Sequence, residues 1–182
     1  KINISQQIIN LIIDKSKGKR INLKNELNKL DSFCQNKKKI EEEDVLKLIK
    51  LSQNFEISEL VDQCLLKNKK RTINILNENN SSTEDNIMIV KTFLYKLKRL
   101  KTLRLNLKID KNLETVISNY KPPIFWKDKE TIKYQLKIWP LSKIKLLIKK
   151  INDLELLIKK NHLISNQIIS DFVLEQLEIS NN

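Results

Sequence analysis

Ile87, Val90, Leu94, Leu97, Leu100 and Leu103 recur at intervals of three and four residues, and Leu141, Ile144, Ile148, Ile151, Leu154 and Ile158 repeat the pattern further along the chain. A helix turns once in 3.6 residues, so each set lines one face that another apolar face has to cover. No segment shows the two-residue alternation of a half-buried strand. Gly18 is the only glycine among 182 residues, and there are three prolines, so residues that interrupt helices are scarce. The pattern predicts an all-α fold.

Ile8, Ile9, Ile12 and Ile13 make the apolar face of a first helix, with Gly18 placed to close it in the positive-φ conformation that a C-terminal cap favours. Ile21 to Phe33 carries Leu23, Leu27 and Leu30 on one face, and Lys37, Lys38 and Lys39 form a solvated turn. Glu41 to Asp44 put carboxylates in the first turn of a third helix, where the helix dipole favours them, before Val45, Leu48 and Ile49 face inward. These elements predict a small three-helix domain over residues 1–54, ending in a break between Ser52 and Glu56.

Residues 55–182 read as a larger helical bundle. Helices from Ser58 to Leu66 and from Lys69 to Asn77 lead to Ser81-x-x-Glu84, a capping-box spacing that opens the long helix through Leu103, whose other faces carry Lys91, Lys98, Lys101 and Arg104. A short helix from Leu113 to Asn119, one with Ile132, Leu136 and Trp139 at helical spacing, the Leu141 helix and a last one from Asn166 to Leu177 complete it.

Between the short helix and its successor lies Lys121-Pro-Pro-Ile-Phe-Trp-Lys-Asp-Lys129. Each proline fixes its own φ and drives the preceding residue out of the α region, so the chain enters Ile124 extended and Asp128 is placed to cap the next helix. Phe125 and Trp126 arrive on a stiff connector. Two readings follow: the aromatics plug the junction between helices, or Trp126 is presented to stack on a partner.

The net charge is +13 and the pI about 9.6, a balance that suits nucleic acid or an anionic surface. Only four of the 35 basic residues are arginine, at positions 20, 71, 99 and 104, and alanine is absent, a composition expected of AT-rich coding. The charge is therefore permissive evidence only. One glycine excludes a phosphate-cradling or dinucleotide-binding loop, which needs several at fixed spacing. His162 is the sole histidine, and Cys34 and Cys64 have no neighbouring ligand, so no zinc site or redox pair is spaced correctly. Glu41, Glu42 and Glu43 are helix-start residues. No catalytic, cofactor-binding or metal-binding constellation is evident. No apolar run of ~18 residues spans a bilayer and no signal-peptide core is present, which predicts a cytoplasmic protein without a membrane partner. The chain begins with Lys1 rather than methionine and enters a helix almost at once, so a segment of a longer polypeptide is expected.

Pro122-Pro123-Ile124-Phe125-Trp126-Lys127, a helix ending near Trp139, Leu141-Ser142, and a long helix with Glu155 four residues before Lys159 resemble the C-terminal domain of the delta subunit of the bacterial DNA polymerase III clamp loader. Upstream, Leu11, Gly18-Lys19-Arg20, Leu23, Glu26-Leu27, Lys29-Leu30 and Ile40 to Val45 resemble that family's small three-helix domain, while Phe55 to Leu66, Lys69 to Leu76 and Phe93 to Arg104 resemble the start of its collar domain. The resemblance covers nearly the whole chain as an ordered series, although no single motif is specific.

The resemblance implies a lid-like three-helix domain of an AAA+-type module over 1–54 and an oligomerisation collar over 55–182. It implies a structural subunit without catalysis of its own, which contacts clamp-loader ATPase subunits through the collar. It further implies primer-template DNA in the assembled complex, and a sliding clamp held by an N-terminal domain outside this chain. Leu146, Leu147, Leu156 and Leu157 widen the apolar stripe of the Leu141 helix, either as a second, subunit-facing surface or as part of a larger buried bundle. Trp126 and His162 take the positions where aromatic rings would meet DNA, the histidine being the smaller ring. Lys69-Lys70-Arg71 could touch phosphate, but the lysine-rich composition favours reading it as a solvated face. The competing functional class is a free-standing basic helical nucleic-acid-binding module, which needs base-reading residues clustered on one helix rather than lysines on every helix. A peripheral membrane helix would need a sharper basic face than any stripe here offers.

Overall fold

The computed structural model describes residues 5–16, 20–34, 42–78 and 83–178. Among them every regular element is helical: α1 (Gln6–Ser16), α2 (Arg20–Cys34), α3 (Glu42–Leu65), α4 (Lys69–Glu78), α5 (Thr83–Asn106), α6 (Leu113–Ser118), α7 (Asp128–Ile138), α8 (Leu141–Lys160), a 3-10 turn (His162–Ile164) and α9 (Ser165–Glu178). The protein is all-α. It divides into two compact units, Lys1–Phe55 and Glu56–Asn182.

In the first unit α1 packs on α2 around Ile8, Ile12, Leu30 and Val45, with Leu23, Phe33 and Leu48 partly buried against them. Ser5 opens α1 by accepting the Ile8 amide on its Oγ at 3.3 Å. Ile9, Ile13 and Leu27, expected to face inward, are exposed. Short helices cover only the centre of each other's apolar stripes, and residues on the margins stay wet. The Gly18 cap, the Lys37 to Lys39 turn and the capping box at Ser81 lie outside the described residues.

The expected break between Ser52 and Glu56 is absent, because α3 runs without interruption from Glu42 to Leu65 and the division between units falls inside it. No glycine or proline stands there to interrupt the backbone ladder. The helix ends instead at a turn in which Lys67 takes φ 60, the left-handed conformation usual for glycine at this position. The Lys67 amide donates to the Cys64 carbonyl and the Asn68 amide to the Gln63 carbonyl, both at 3.0 Å, the paired bonds of a Schellman cap. The Lys67 ammonium donates to the Gln176 carbonyl and lies 4.6 Å from the centroid of the Trp139 ring, so the side chain is anchored where a glycine would offer none. Burial holds that ammonium below its ordinary pKa.

In the second unit α5 is the spine. α8 lies along it, α9 packs on both, and α6 and α7 cover further faces. Ile89, Val90, Phe93, Leu97, Leu100 and Leu103 are buried against Ile144, Leu147, Ile151, Leu154 and Ile158 of α8 and Ile169, Phe172 and Val173 of α9. Phe93 meets Phe172 edge to face with centroids 5.6 Å apart. Several polar groups inside are tied, although Asn86 Oδ1, Arg99 Nε and Gln135 Oε1 are buried without a hydrogen-bond partner. Lys96 of α5 donates to the Ser58 carbonyl at 3.0 Å and pairs with Asp62, whose other oxygen accepts from Gln135 of α7 at 2.9 Å. Arg104, expected on an outer face, donates from Nε to the Trp139 carbonyl at 3.0 Å and from Nη2 to the Leu136 carbonyl, closing the C-terminal end of α7.

Candidate functional site

The segment between α6 and α7 is held at both ends. Asn112 caps α6, its Oδ1 accepting the Glu114 and Thr115 amides at 3.0 and 3.3 Å, and Val116 and Ile117 sink into the core. The Lys121–Pro122 peptide is cis, and Ile124 turns inward. The Phe125 and Trp126 carbonyls accept the Asp128 and Lys129 amides at 2.9 and 3.4 Å and so start α7. Lys127 is the N-cap and makes no side-chain capping bond, so Asp128 does not cap as the sequence suggested; with Glu130 it occupies the first turn and acts through the dipole alone.

Ile124, not an aromatic residue, plugs the junction. Trp126 is 68% exposed and Phe125 57%, their rings 5.7 Å apart and tilted by 48°. The Lys127 ammonium lies 5.2 Å from the Trp126 centroid. The plug reading of the aromatics therefore fails on geometry, and the indole stands in solvent beside a cation.

His162 is also exposed, at the start of the 3-10 turn, where its carbonyl accepts from Ser165 Oγ at 2.8 Å. Trp126 lies in the connector just before α7, which packs on α5, whereas His162 opens the 3-10 turn, which packs on α8 and α9. Glu155 and Lys159 form an ion pair one helical turn apart at 2.7 Å, and that hydrogen bond holds the Glu155 carboxyl below its usual range. Arg71 is engaged by Glu59, with Nε and Nη2 at 2.9 and 2.7 Å from Oε1, which removes it from a free phosphate-binding triplet with Lys69 and Lys70.

The four leucines of α8 separate. Leu147 is 3% exposed and belongs to the inward stripe with Ile144, Ile151, Leu154 and Ile158, so it is no subunit-facing residue. Its place three residues after Ile144 and four before Ile151 keeps it in phase with the core. Leu146, Leu156 and Leu157 are exposed. Leu146 and Leu157 lie about 16 Å apart along the helix, with Lys150 between them bound to Glu175 of α9 at 2.6 Å. The apolar surface of α8 is thus two spots rather than one continuous stripe.

Tyr134 escaped notice in the sequence although its signal was present. It falls out of phase with Ile132, Leu136 and Trp139, and it stands 56% exposed with the Lys137 ammonium 5.2 Å from its ring centroid. Among the described residues no group of His, Cys, Asp or Glu is arranged to hold a metal ion, and no helix is long and apolar enough to cross a membrane.

No family model matches the chain, and no curated protein matches it. Among solved structures, the Bacillus subtilis DNA clamp loader delta protein (YqeN) is similar in fold, with a TM-score of 0.56 at 16% identity over 98% of this chain and 51% of that one. The chain spans about half the length of that structure's chain.

Proposed function

We propose that this chain works as a structural component of a clamp loader, the delta subunit of the bacterial DNA polymerase III type, without catalysis of its own. The carrying observation is the breadth of the fold likeness, which takes in both compact units rather than one helical bundle. The ordered series of sequence resemblances from Leu11 to Lys159 points the same way. In this reading residues 1–54 serve as the lid-like domain of an AAA+-type module, and residues 55–182 as the collar that meets the loader's ATPase subunits. Leu146, Leu156 and Leu157 supply apolar anchors, since interface cores depend on a few such side chains. Trp126 faces primer-template DNA.

Co-elution of the purified chain with clamp-loader ATPase subunits in size-exclusion chromatography tests this. A complex that Leu146→Lys together with Leu156→Lys weakens supports the collar. Failure to co-elute, with tight nucleic-acid binding by the chain alone, favours a free-standing basic helical module.

A further inference from the structure

Met88, Thr92, Tyr95, Arg99 and Thr102 follow one another along α5 at intervals of four, three, four and three residues. A helix turns once in 3.6 residues, so this spacing keeps all five on one narrow stripe, turned away from the Phe93, Leu97 and Leu100 side that enters the core. Met88, Tyr95 and Thr102 are exposed, yet Arg99 is sunk to 8% exposure among them. Its Nε is enclosed without a hydrogen-bond partner, and among the described residues the guanidinium has no ion pair. The Tyr95 ring stands beside it, its centroid 5.8 Å from Cζ. Asp62 does not answer this charge, because its two oxygens hold Lys96 and Gln135. Burial chiefly, with the charge of Arg99 adding to it, holds the Lys96 ammonium below its ordinary range, so two cations meet here. From Asn86 to Ile109 the sequence contains no carboxylate. A guanidinium withdrawn from water without an anion is costly, and a carboxylate seated on it removes that cost.

We propose that this stripe is a helix-docking face, on which an amphipathic helix of a loader ATPase subunit lies along Met88, Thr92, Tyr95 and Thr102 and seats an Asp or Glu carboxylate on Arg99. The partner's identity rests on the clamp-loader reading. The contact itself goes beyond that reading, which placed apolar anchors on α8 and none on α5. Alternating intervals of three and four are those of a seam between two packed helices, and Met88 to Thr102 spans about 21 Å, close to four turns. Methionine, tyrosine and arginine are the residues that interface cores favour, and a guanidinium at the centre of such a face is a common anchor. With Nε enclosed, an incoming anion meets the two Nη groups at the end of the fork. A carboxylate carried on a side chain reaches into a recess more readily than a phosphodiester oxygen, which stands directly on its own chain. Exposed Lys91 and Lys98, half a turn or less from the stripe, add attraction for an acidic partner.

Biolayer interferometry of the chain against purified clamp-loader ATPase subunits, paired with urea unfolding of the chain alone, tests the proposal. Arg99→Met should weaken assembly by about thirtyfold or more. The same variant should raise the urea midpoint of the chain alone, since it removes a buried charge that the free chain leaves unanswered. Arg99→Lys should recover only part of the affinity, because an ammonium lacks the planar fork. Unchanged assembly in Arg99→Met, beside a parent that assembles, overturns the proposal and leaves the clamp-loader reading standing. A lower urea midpoint in Arg99→Met also overturns it, by showing that the guanidinium serves the fold. So does a loss confined to binding of a labelled oligothymidylate, which would mark a phosphate site. A parent chain that binds no ATPase subunit overturns the clamp-loader reading and this contact with it, so the parent measurement tells the two failures apart.

Discussion

The indole Nε1 of Trp139 donates to the carbonyl of Leu65 at 2.7 Å, joining the end of α7 to the end of α3. A helix leaves its last four carbonyls without intrahelical partners. In α3 the Asp62 carbonyl takes the Leu66 amide, Gln63 takes Asn68 and Cys64 takes Lys67, all at 2.9 to 3.0 Å, which leaves Leu65 for the indole. Trp139 is therefore the tryptophan that serves the fold, and Trp126, thirteen residues earlier, is free for a partner.

Trp139→Phe should destabilise the protein by about 1 to 3 kcal/mol, the cost of a buried carbonyl left without a donor. Urea unfolding followed by circular dichroism measures this. Trp126→Ala in the same assay should stay within about 0.5 kcal/mol of the parent, as expected of an exposed side chain.

The leucines of α8 should part in the same way. Leu147→Lys buries an unpaired ammonium among Ile144, Ile151 and Leu154 and should cost more than about 3 kcal/mol or prevent folding. Leu156→Lys should leave the urea midpoint unchanged. Similar losses in the two variants would contradict the inward placement of Leu147 alone.

Asp62 links α3, α5 and α7 by holding both Lys96 and Gln135. Burial is the main influence holding the Lys96 pKa below its ordinary value, and Asp62 opposes it. Asp62→Ala should therefore destabilise by about 3 to 5 kcal/mol, since it strands a buried ammonium. Replacing Lys96 by Met and Asp62 by Leu together should recover much of that loss, which a double-mutant cycle would measure.

Cys64 is fully buried, and that burial pushes its thiol from an ordinary 9.0 up to about 12, with Lys67 pulling weakly the other way. The folded protein keeps this thiol neutral where the unfolded chain ionises it. Its contribution to stability is full below about pH 9, is lost as pH rises towards about 12, and disappears in Cys64→Ser. In a Cys34→Ser background, iodoacetamide at pH 8 should label the protein only after denaturant is added.

The sequence showed most of the helices because their apolar positions repeat in phase with one turn, and the same phase would have separated Leu147 from Leu146, Leu156 and Leu157 had it been applied residue by residue. The uninterrupted α3 was not legible, since Ser52 and Asn54 are weak helix formers that a turn would also accept. Lys67 at positive φ was invisible for a related reason: a lysine is tolerated there only because Gln176 and Trp139, distant in sequence, hold its ammonium. The Pro-Pro segment left two placements open for its aromatics. Ile124 decided between them by filling the junction with a smaller side chain.

Native mass spectrometry of the chain mixed with clamp-loader ATPase subunits tests the central claim most directly. The clamp-loader reading predicts one copy of the chain in each hetero-oligomer, lost when Leu146 and Leu156 are both changed to Lys and retained in Trp126→Ala. A chain that remains free, or joins only copies of itself, while the ATPase subunits assemble without it would contradict that reading.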